Sequence, residues 1–490
     1  MVGRRPAAVR AATLGSIMRL PLALSTRLAR SAGALSRLVG VGGGTTLPGR
    51  FLNALDATAL SRLSKRLPQG SALISATNGK TTTAALAATV LARRYRLAGN
   101  AAGANLASGV TTALMHTRGA ELGLLEVDEA ALSAISAAVS PRVLCLGNLF
   151  RDQLDRYGEL EMLAERWRKV VSALDPKSTL VINGDDPQIA QIAAQFTNVV
   201  RFGIDDPRHG GSLPHAADAR YCSTCGVAYR YSRAYVGHLG EYTCPGCGFT
   251  RQIPHVCALE IELDGTHGSR FALRLPEGSY AVSLRLPGLY NVYNALAAAA
   301  LSRALGARAE EIVEGLESTS AAFGRSERIA VGSKRVLLLL IKNPTGANEV
   351  VRTLVAGVAP KLLVIALNDR IADGQDVSWI WDVDFEPLLE SLERLIVSGG
   401  RAEELALRFK YAGFPERAIE IVSDPESALA RGLELTDDDD ELVVCPTYTA
   451  MLELQRALTA QGYADPYWQR AARSRSPLAH RDTDSDEASR

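Results

Sequence analysis

Ser71-Ala-Leu-Ile-Ser-Ala-Thr-Asn-Gly-Lys-Thr-Thr-Thr83 is the stretch from which the rest of this chain can be read. Ala72, Leu73 and Ile74 form a short apolar run, as a buried strand requires, and it breaks into the small-residue turn Ala76-Thr77-Asn78-Gly79. Lys80 and Thr81 follow, and Leu86, Val90 and Leu91 then set a helical pattern. Strand, turn and helix in that order suit a nucleotide triphosphate, because N–H groups of the turn and of the helix start face the phosphates. Thr77, Asn78, Gly79, Lys80, Thr81 and Thr82 are therefore the candidate phosphate-site residues, with Lys80 on the β/γ oxygens and Thr81 on Mg²⁺. A helix N-cap with a chance Gly-Lys is the competing reading, which the preceding strand disfavours. The full phosphate-loop pattern has an earlier glycine, and Ala76 stands where related loops often carry one.

Working outward, 490 residues allow two or three domains at about 150 residues each. An apolar fraction of 47% is enough for large cores, and the net charge of +1 carries no global signal for nucleic acid. Four of the seven cysteines fall in two Cys-x-x-Cys pairs, which fits a reduced compartment and a metal better than a disulfide framework. No run of about 18 uncharged apolar residues occurs, so no membrane span is expected and the protein reads as cytoplasmic.

Residues 1–45 form a basic lead-in with no acid before Asp56. A plain surface helix is the simplest reading of it; a basic amphipathic segment touching lipid at the inner face of the cell membrane is the alternative. Arg19 interrupts any signal-peptide core. Gly40–Gly49 is Gly/Pro-rich and reads as a loop. From 46 to 328 apolar runs (Leu122–Val127, Val143–Leu146, Thr179–Ile182, Asn198–Phe202) alternate with helical patterns, so a mainly parallel α/β domain is expected. The interval of about 205–265 breaks this rhythm as an insert. A second α/β domain is expected over 329–467, on Arg335–Ile341, Leu362–Leu367, Arg394–Ser398 and Leu442–Cys445, and a disordered tail over 468–490.

Leu124-Leu-Glu-Val-Asp-Glu-Ala130 places acids at a strand end, where one can hold Mg²⁺ or its water opposite the phosphate loop. Glu126 is the choice, with Asp128 and Glu129 as neighbours. Asn291 and Asn294 lie three apart on a helix start, fit to approach a purine or a substrate, and Arg325 sits just before the second α/β unit, placed for phosphate or developing charge. Cys222-x-x-Cys225 and Cys244-x-x-Cys247, each followed by glycine, fit a tetrahedral Zn²⁺ with no open position, hence a structural site. Tyr221, Tyr229, Tyr231, Tyr235 and Arg230 beside it read as packing rather than as a nucleic-acid surface. Asn368–Asp382 follows a strand with four carboxylates and two tryptophans, where open α/β sheets place ligands; a long loop anchored by Trp379 and Trp381 is the competing reading.

Taken together, Ala76–Thr82, Glu126–Glu129, Arg151-Asp-Gln-Leu-Asp-Arg-Tyr-Gly158, Asn183-Gly-Asp-Asp-Pro187, Gly288–Ala295, Lys342-Asn-Pro-Thr-Gly346 and Asp373–Asp382 resemble the Mur ligase family. The four-cysteine insert and the Ser378-Trp-Ile-Trp381 run narrow the likeness to the large subunits of lipid II isoglutaminyl synthases. The resemblance covers roughly 30–465. It implies a central ATPase domain carrying a zinc-ribbon insert and a Rossmann-like C-terminal domain. It implies ATP, Mg²⁺ and a structural Zn²⁺, with Lys80 and Glu126 in the catalytic centre. The activity it implies is amidation of the D-glutamate α-carboxyl of lipid II through an acyl phosphate, with ammonia from a GatD-type glutamine amidotransferase partner. An aspartate of the C-terminal domain would complete that partner's Cys–His pair: Asp376, with Asp373 and Asp382 as rivals.

Of the seven histidines only His116 lies away from the insert region and the tail, so the chain shows no Cys/His glutaminase pair of its own. Gln153 stands where amino-acid-adding relatives have histidine, and no lysine lies between Lys177 and Lys334 to serve as their carbamylated metal ligand. A stand-alone Mur or folylpolyglutamate-type ligase, and a zinc-ribbon nucleic-acid ATPase, are the competing functions.

Overall fold

The computed structural model describes residues 21–38, 46–100, 104–152, 159–215, 217–319 and 325–464. The expected tail, Gln153 and the first twenty residues lie outside them. The first sheet takes β1 (Ser71–Ser75), β2 (Leu97–Ala98), β3 (Leu122–Glu126), β4 (Val143–Leu146), β5 (Thr179–Asn183) and β6 (Val199–Ile204). A separate two-stranded hairpin, β7 (Arg230–Val236) and β8 (Leu239–Thr243), follows. The chain then returns to the first sheet as β9 (Val256–Asp264), β10 (Gly268–Leu275) and β11 (Gly278–Leu284).

The strand order is β11-β10-β9-β6-β5-β4-β1-β3-β2. Pairing is parallel from β2 to β9 and antiparallel at β10 and β11. β1, β3 and β4 are buried at every position, which is why they read as unbroken apolar runs. β9 pairs in parallel with β6 through Phe202–Val256, so residues 256–264 of the stretch expected as insert belong to the main sheet. Its half-exposed alternation lacks the continuous apolar run that marked the other strands.

Against this sheet packs the helix Leu289–Ala304, whose run Ala295–Ala300 is buried; the five alanines among its six residues let it approach closely. The Gly/Pro-rich stretch expected to be loop up to Gly49 instead enters a helix, Leu47–Leu55, which tolerates Pro48 in its first turn.

The second sheet holds β12 (Arg325–Val331), β13 (Lys334–Leu339), β14 (Leu362–Ala366), β15 (Arg394–Ser398), β16 (Ile419–Ile421) and β17 (Glu441–Pro446). Their order is β12-β13-β17-β14-β15-β16, parallel except for β12. The turns that leave β1 and β13 meet each other, and the candidate site lies there.

Candidate active site

The turn after β1 opens the helix Lys80–Leu91 at Gly79, whose φ of +86° is open to glycine at low cost. Glycine is required twice over, because a Cβ there would lie 1.9 Å from Asn294 Oδ1. The helix start has no side-chain cap and no acid in its first turn, which leaves its N–H groups and positive dipole end for an anion. The turn is braced from behind. Asn78 N–H donates to Asn148 Oδ1 (2.8 Å), and Asn148 Nδ2 donates to Asn78 O (3.0 Å). Thr77 Oγ1 accepts from Phe150 N–H at 3.0 Å. Thr77 is thus buried structure rather than an open ligand, and Asn148, which opens a stretch readable in the sequence as a capped helix start or an Asx-turn, braces the site.

Lys80 is almost fully buried, and its ammonium donates to Glu129 (2.8 Å) and to the carbonyl of Ala76. Burial works against its charge, but Glu129, Glu126 and Asp128 outweigh it and hold the ammonium above the usual lysine range. The Lys80 ammonium lies at the turn with Glu129 as its partner. Thr81 Oγ1 lies 3.0 and 2.9 Å from the two oxygens of Glu126. A hydroxyl and a carboxylate side by side, at the edge of a phosphate-binding turn, suit a hydrated Mg²⁺. Asn294 reaches the same turn through Thr83 (3.4 Å), whereas Asn291 lies behind it, donating to Pro287 O and accepting from Asn294. The Arg325 backbone opens β12, and its side chain lies outside the described residues.

Lys342, three residues past the end of β13, donates to Asp152 (2.6 Å) and to Thr77 O (2.9 Å). Asn343 and Asn78 exchange amide hydrogen bonds at 3.0 and 3.2 Å. Between the two turns lies a cavity of about 100 Å³. Asn78, Gly79, Asn148 and Lys342 line its polar end; Val236, Leu239, Tyr290, Tyr293, Leu339 and Val350 give it apolar walls. A polar mouth at a phosphate turn and an apolar interior fit phosphates and a base in one cleft. Lys342 and Asn343 belong to the motif Lys342–Gly346, which by itself gives them no role; Asn343-Pro344, a helix start shortly after a strand, marks a second βα turn.

Val236 and Leu239 flank the turn of the β7–β8 hairpin, so the insert reaches the cleft. Gly237 at the turn is wedged, since a Cβ would meet Phe150 at 3.0 Å and Thr345 at 3.2 Å. At the far end Cys222, Cys225, Cys244 and Cys247 keep all four sulfurs within 4.8 Å of one another. Cys225 and Cys244 lie 3.3 Å apart and Cys222 and Cys247 3.6 Å apart. Tetrahedral Zn–S bonds of ~2.3 Å need sulfurs about 3.8 Å apart, so the thiol cluster fits that ion. Gly226 and Gly248 donate back to the carbonyls of Cys222 and Cys244, and φ near +75° (74° and 76°) folds each pair into the same knuckle. Tyr229 and Tyr242 pack directly on the buried cysteines while Tyr221 is exposed, and Cys257 is simply buried in β9.

The three C-terminal acids separate by environment. Asp373 is buried and accepts from Thr449 N–H (2.7 Å) and its hydroxyl. Asp382 is half-buried, with Arg151 Nη2 3.6 Å away. Asp376 is exposed and accepts from Ser378 N–H (2.9 Å); Ser378 holds its carboxyl below the usual carboxylate range. Trp379 packs on the core and Trp381 is exposed against Tyr411, so the loop is anchored at one tryptophan only.

The fold is that of the Mur ligases. A pseudomurein peptide ligase type C from Methanothermus fervidus superposes with a TM-score of 0.64 at 22% identity, over 82% of this chain and 80% of that one. MurF from Acinetobacter baumannii gives 0.61 at 20%, over 83% and 79%. Residues 74–230 match the Mur ligase middle domain and 340–451 the MurT ligase C-terminal domain. Along the sequence, the lipid II isoglutaminyl synthase (glutamine-hydrolyzing) subunit MurT of Streptococcus pneumoniae is 34% identical over 89% of this chain and 98% of its own length. The Staphylococcus aureus (strain N315) subunit is 33% identical over 88% and 96%. With a Mur-type phosphate turn facing a MurT-type second sheet, the chain belongs to the MurT family of Mur ligases.

Proposed function

We propose that this chain is the ligase subunit of a lipid II isoglutaminyl synthase, converting the D-glutamate α-carboxyl of lipid II to the amide of D-isoglutamine in peptidoglycan synthesis. The observation that carries the reading is the match along nearly the whole length of relatives bearing that name. The carboxylate attacks the γ-phosphorus of ATP, ADP leaves, and the acyl phosphate then loses phosphate to ammonia. Lys80 and the helix start at Gly79 would hold the phosphates, and Thr81 and Glu126 would hold Mg²⁺, which supplies charge neutralisation when bound. Asn294 borders the phosphate turn, and the role proposed for Arg325, on the transferred phosphoryl group, rests on its place in the sequence just before the second α/β domain. Zn²⁺ on the four cysteines would brace the insert, with no open position for chemistry.

A GatD-type subunit would supply ammonia from glutamine. Of the three acids Asp376 is the most open to a second chain, and Ser378 holds its carboxyl below the usual carboxylate range, which supports it as the aspartate lent to the partner's Cys–His pair. The expected boundary at 328/329 moves to before Arg325, because β12 (Arg325–Val331) pairs into the second sheet; the two halves would work in the cytoplasm at the membrane face, where a lipid-borne substrate is presented. Among the described residues no helix is long and apolar enough to cross a membrane.

The test is amidation of lipid II by the purified complex with either glutamine or ammonium, read by mass spectrometry. Wild type should use both, Lys80→Ala neither, and Asp376→Asn ammonium alone. If amino acids are joined and ammonium is inert, the ligase adds an amino acid and the reading fails.

A further inference from the structure

The helix Leu47–Leu55 is built inside out. Its inner face is made of small or buried residues: Pro48, Gly49 and Leu52. Gly49 N–H donates to Thr112 Oγ1 at 2.8 Å, and a Cβ there would lie 1.9 Å from the carbonyl of Ser108, so the docking of this face is fixed. The bulky apolar residues point the other way. Leu47, Phe51 and Leu55 recur at helical spacing and are 41–42% exposed, with Arg50 exposed between them. A soluble domain would normally bury that stripe.

The preceding helix, Leu22–Leu38, repeats the arrangement. Leu22, Ser25, Thr26 and Ala29 are buried, whereas Leu24 and Leu28 are 43% and 45% exposed beside exposed Arg27. The two helices touch where Gly33 meets Pro48, and Arg30 ties the first to the carbonyl of Met115. Charge sorts the same way. Arg4, Arg5, Arg10, Arg19, Arg27, Arg30, Arg37 and Arg50 all precede Asp56, the first acid, so the rest of the chain carries more acids than bases. Among the described residues neither Arg27 nor Arg50 has an ion-pair partner.

We propose that this helix pair is a docking face for an anionic phospholipid bilayer, its leucines and Phe51 entering the headgroup boundary and its arginines pairing with lipid phosphates. An outward apolar stripe with basic flanks is what an interfacial helix needs, and excess positive charge selects an anionic surface over a neutral one. The use of such a face, holding the ligase where a lipid-borne carboxylate is presented, rests on the proposed function; binding to lipid does not.

The experiment is flotation of the full-length protein with vesicles of phosphatidylglycerol and phosphatidylcholine, against phosphatidylcholine alone. The wild type should float with anionic vesicles only, and less so as salt rises. Arg27→Glu with Arg50→Glu should weaken partitioning roughly 30-fold or more, at about 1 kcal/mol for each lost arginine and tenfold per 1.4 kcal/mol. Phe51→Ser with Leu55→Ser should weaken it comparably, and both variants should keep wild-type circular dichroism because they alter exposed side chains. Equal binding to both vesicle types, or binding unchanged in both double variants, overturns the proposal. So does loss of a co-purifying protein subunit from Phe51→Ser when the wild type does not float, since the face is then a protein interface. Flotation with inert ligase activity would leave this proposal standing and overturn only the function.

Discussion

Glu349 enters the cleft from the helix Pro344–Ala356 with 4% of its surface exposed, and burial pushes its carboxyl up to about 7 although Arg352, 3.1 Å away, opposes the shift. A carboxyl raised from 4.5 binds its proton more tightly folded than unfolded, so its stabilising effect is full below about pH 4.5 and lost as pH rises to about 7. Glu349→Gln removes that titration. The stability difference between variant and wild type should move in favour of the variant by on the order of 3 kcal/mol between pH 4.5 and 8. Urea unfolding at both pH values checks it, and parallel pH profiles would remove Glu349 as a buried titrating group. Nothing in Ala347-Asn-Glu-Val350 announces this residue, because a glutamate on a helix ordinarily faces water; in the fold it lines the cleft beside Tyr290 of the first domain. Lys80 was the opposite case, since a lysine after a strand and a glycine turn has few other uses.

Among elements, the insert differs most from what its residues suggested. The cysteine spacing gave the knuckles, but the hairpin between them carries Val236 and Leu239 to the nucleotide cleft. Its route back to the phosphate turn is short. Gly240 N–H donates to Asp185 O (2.8 Å), His238 Nε2 lies 3.3 Å from Asp186 Oδ2, and Asp186 accepts from Leu149 N–H (2.9 Å), next to the Phe150 that bonds Thr77. Arg352 donates to Tyr235 O (2.9 Å) and ties the same hairpin to the second sheet. Cys222→Ser should therefore lower bound zinc and also weaken ADP binding several-fold while far-UV circular dichroism is retained. Metal analysis and calorimetric ADP titration read the two effects; zinc loss with unchanged ADP affinity would make the insert a separate module. The central strands were legible because burial on both faces leaves continuous apolar runs. β9 to β11 have one wet face, so their apolar residues alternate with polar ones and form no continuous run.

At the scale of the whole molecule, what the sequence left unread is how its two sheets meet. Two asparagines 265 residues apart exchange amide hydrogen bonds, and no periodicity encodes a contact between two turns on different sheets. Each half presents a turn that follows a parallel strand. The cleft between them is completed only when Asn78 meets Asn343 and Lys342 reaches Thr77. A nucleotide bound there touches both halves, so it should stabilise both against unfolding, by about 2.7 kcal/mol at one hundred times its Kd. Asn343→Asp separates this latch from the local fold. Aspartate still accepts from Gly346 N–H (2.9 Å) and so keeps the helix cap, but it cannot donate to Asn78 Oδ1 and it sets a negative charge beside a phosphate-binding turn. The variant should keep its melting temperature without ligand within a degree or two, yet bind ADP at least tenfold more weakly. At a fixed ADP concentration its thermal shift should fall accordingly. Thermal-shift titrations of both proteins with ADP measure this. An undiminished shift would show that the nucleotide is held by the first half alone and that the second sheet closes for another purpose.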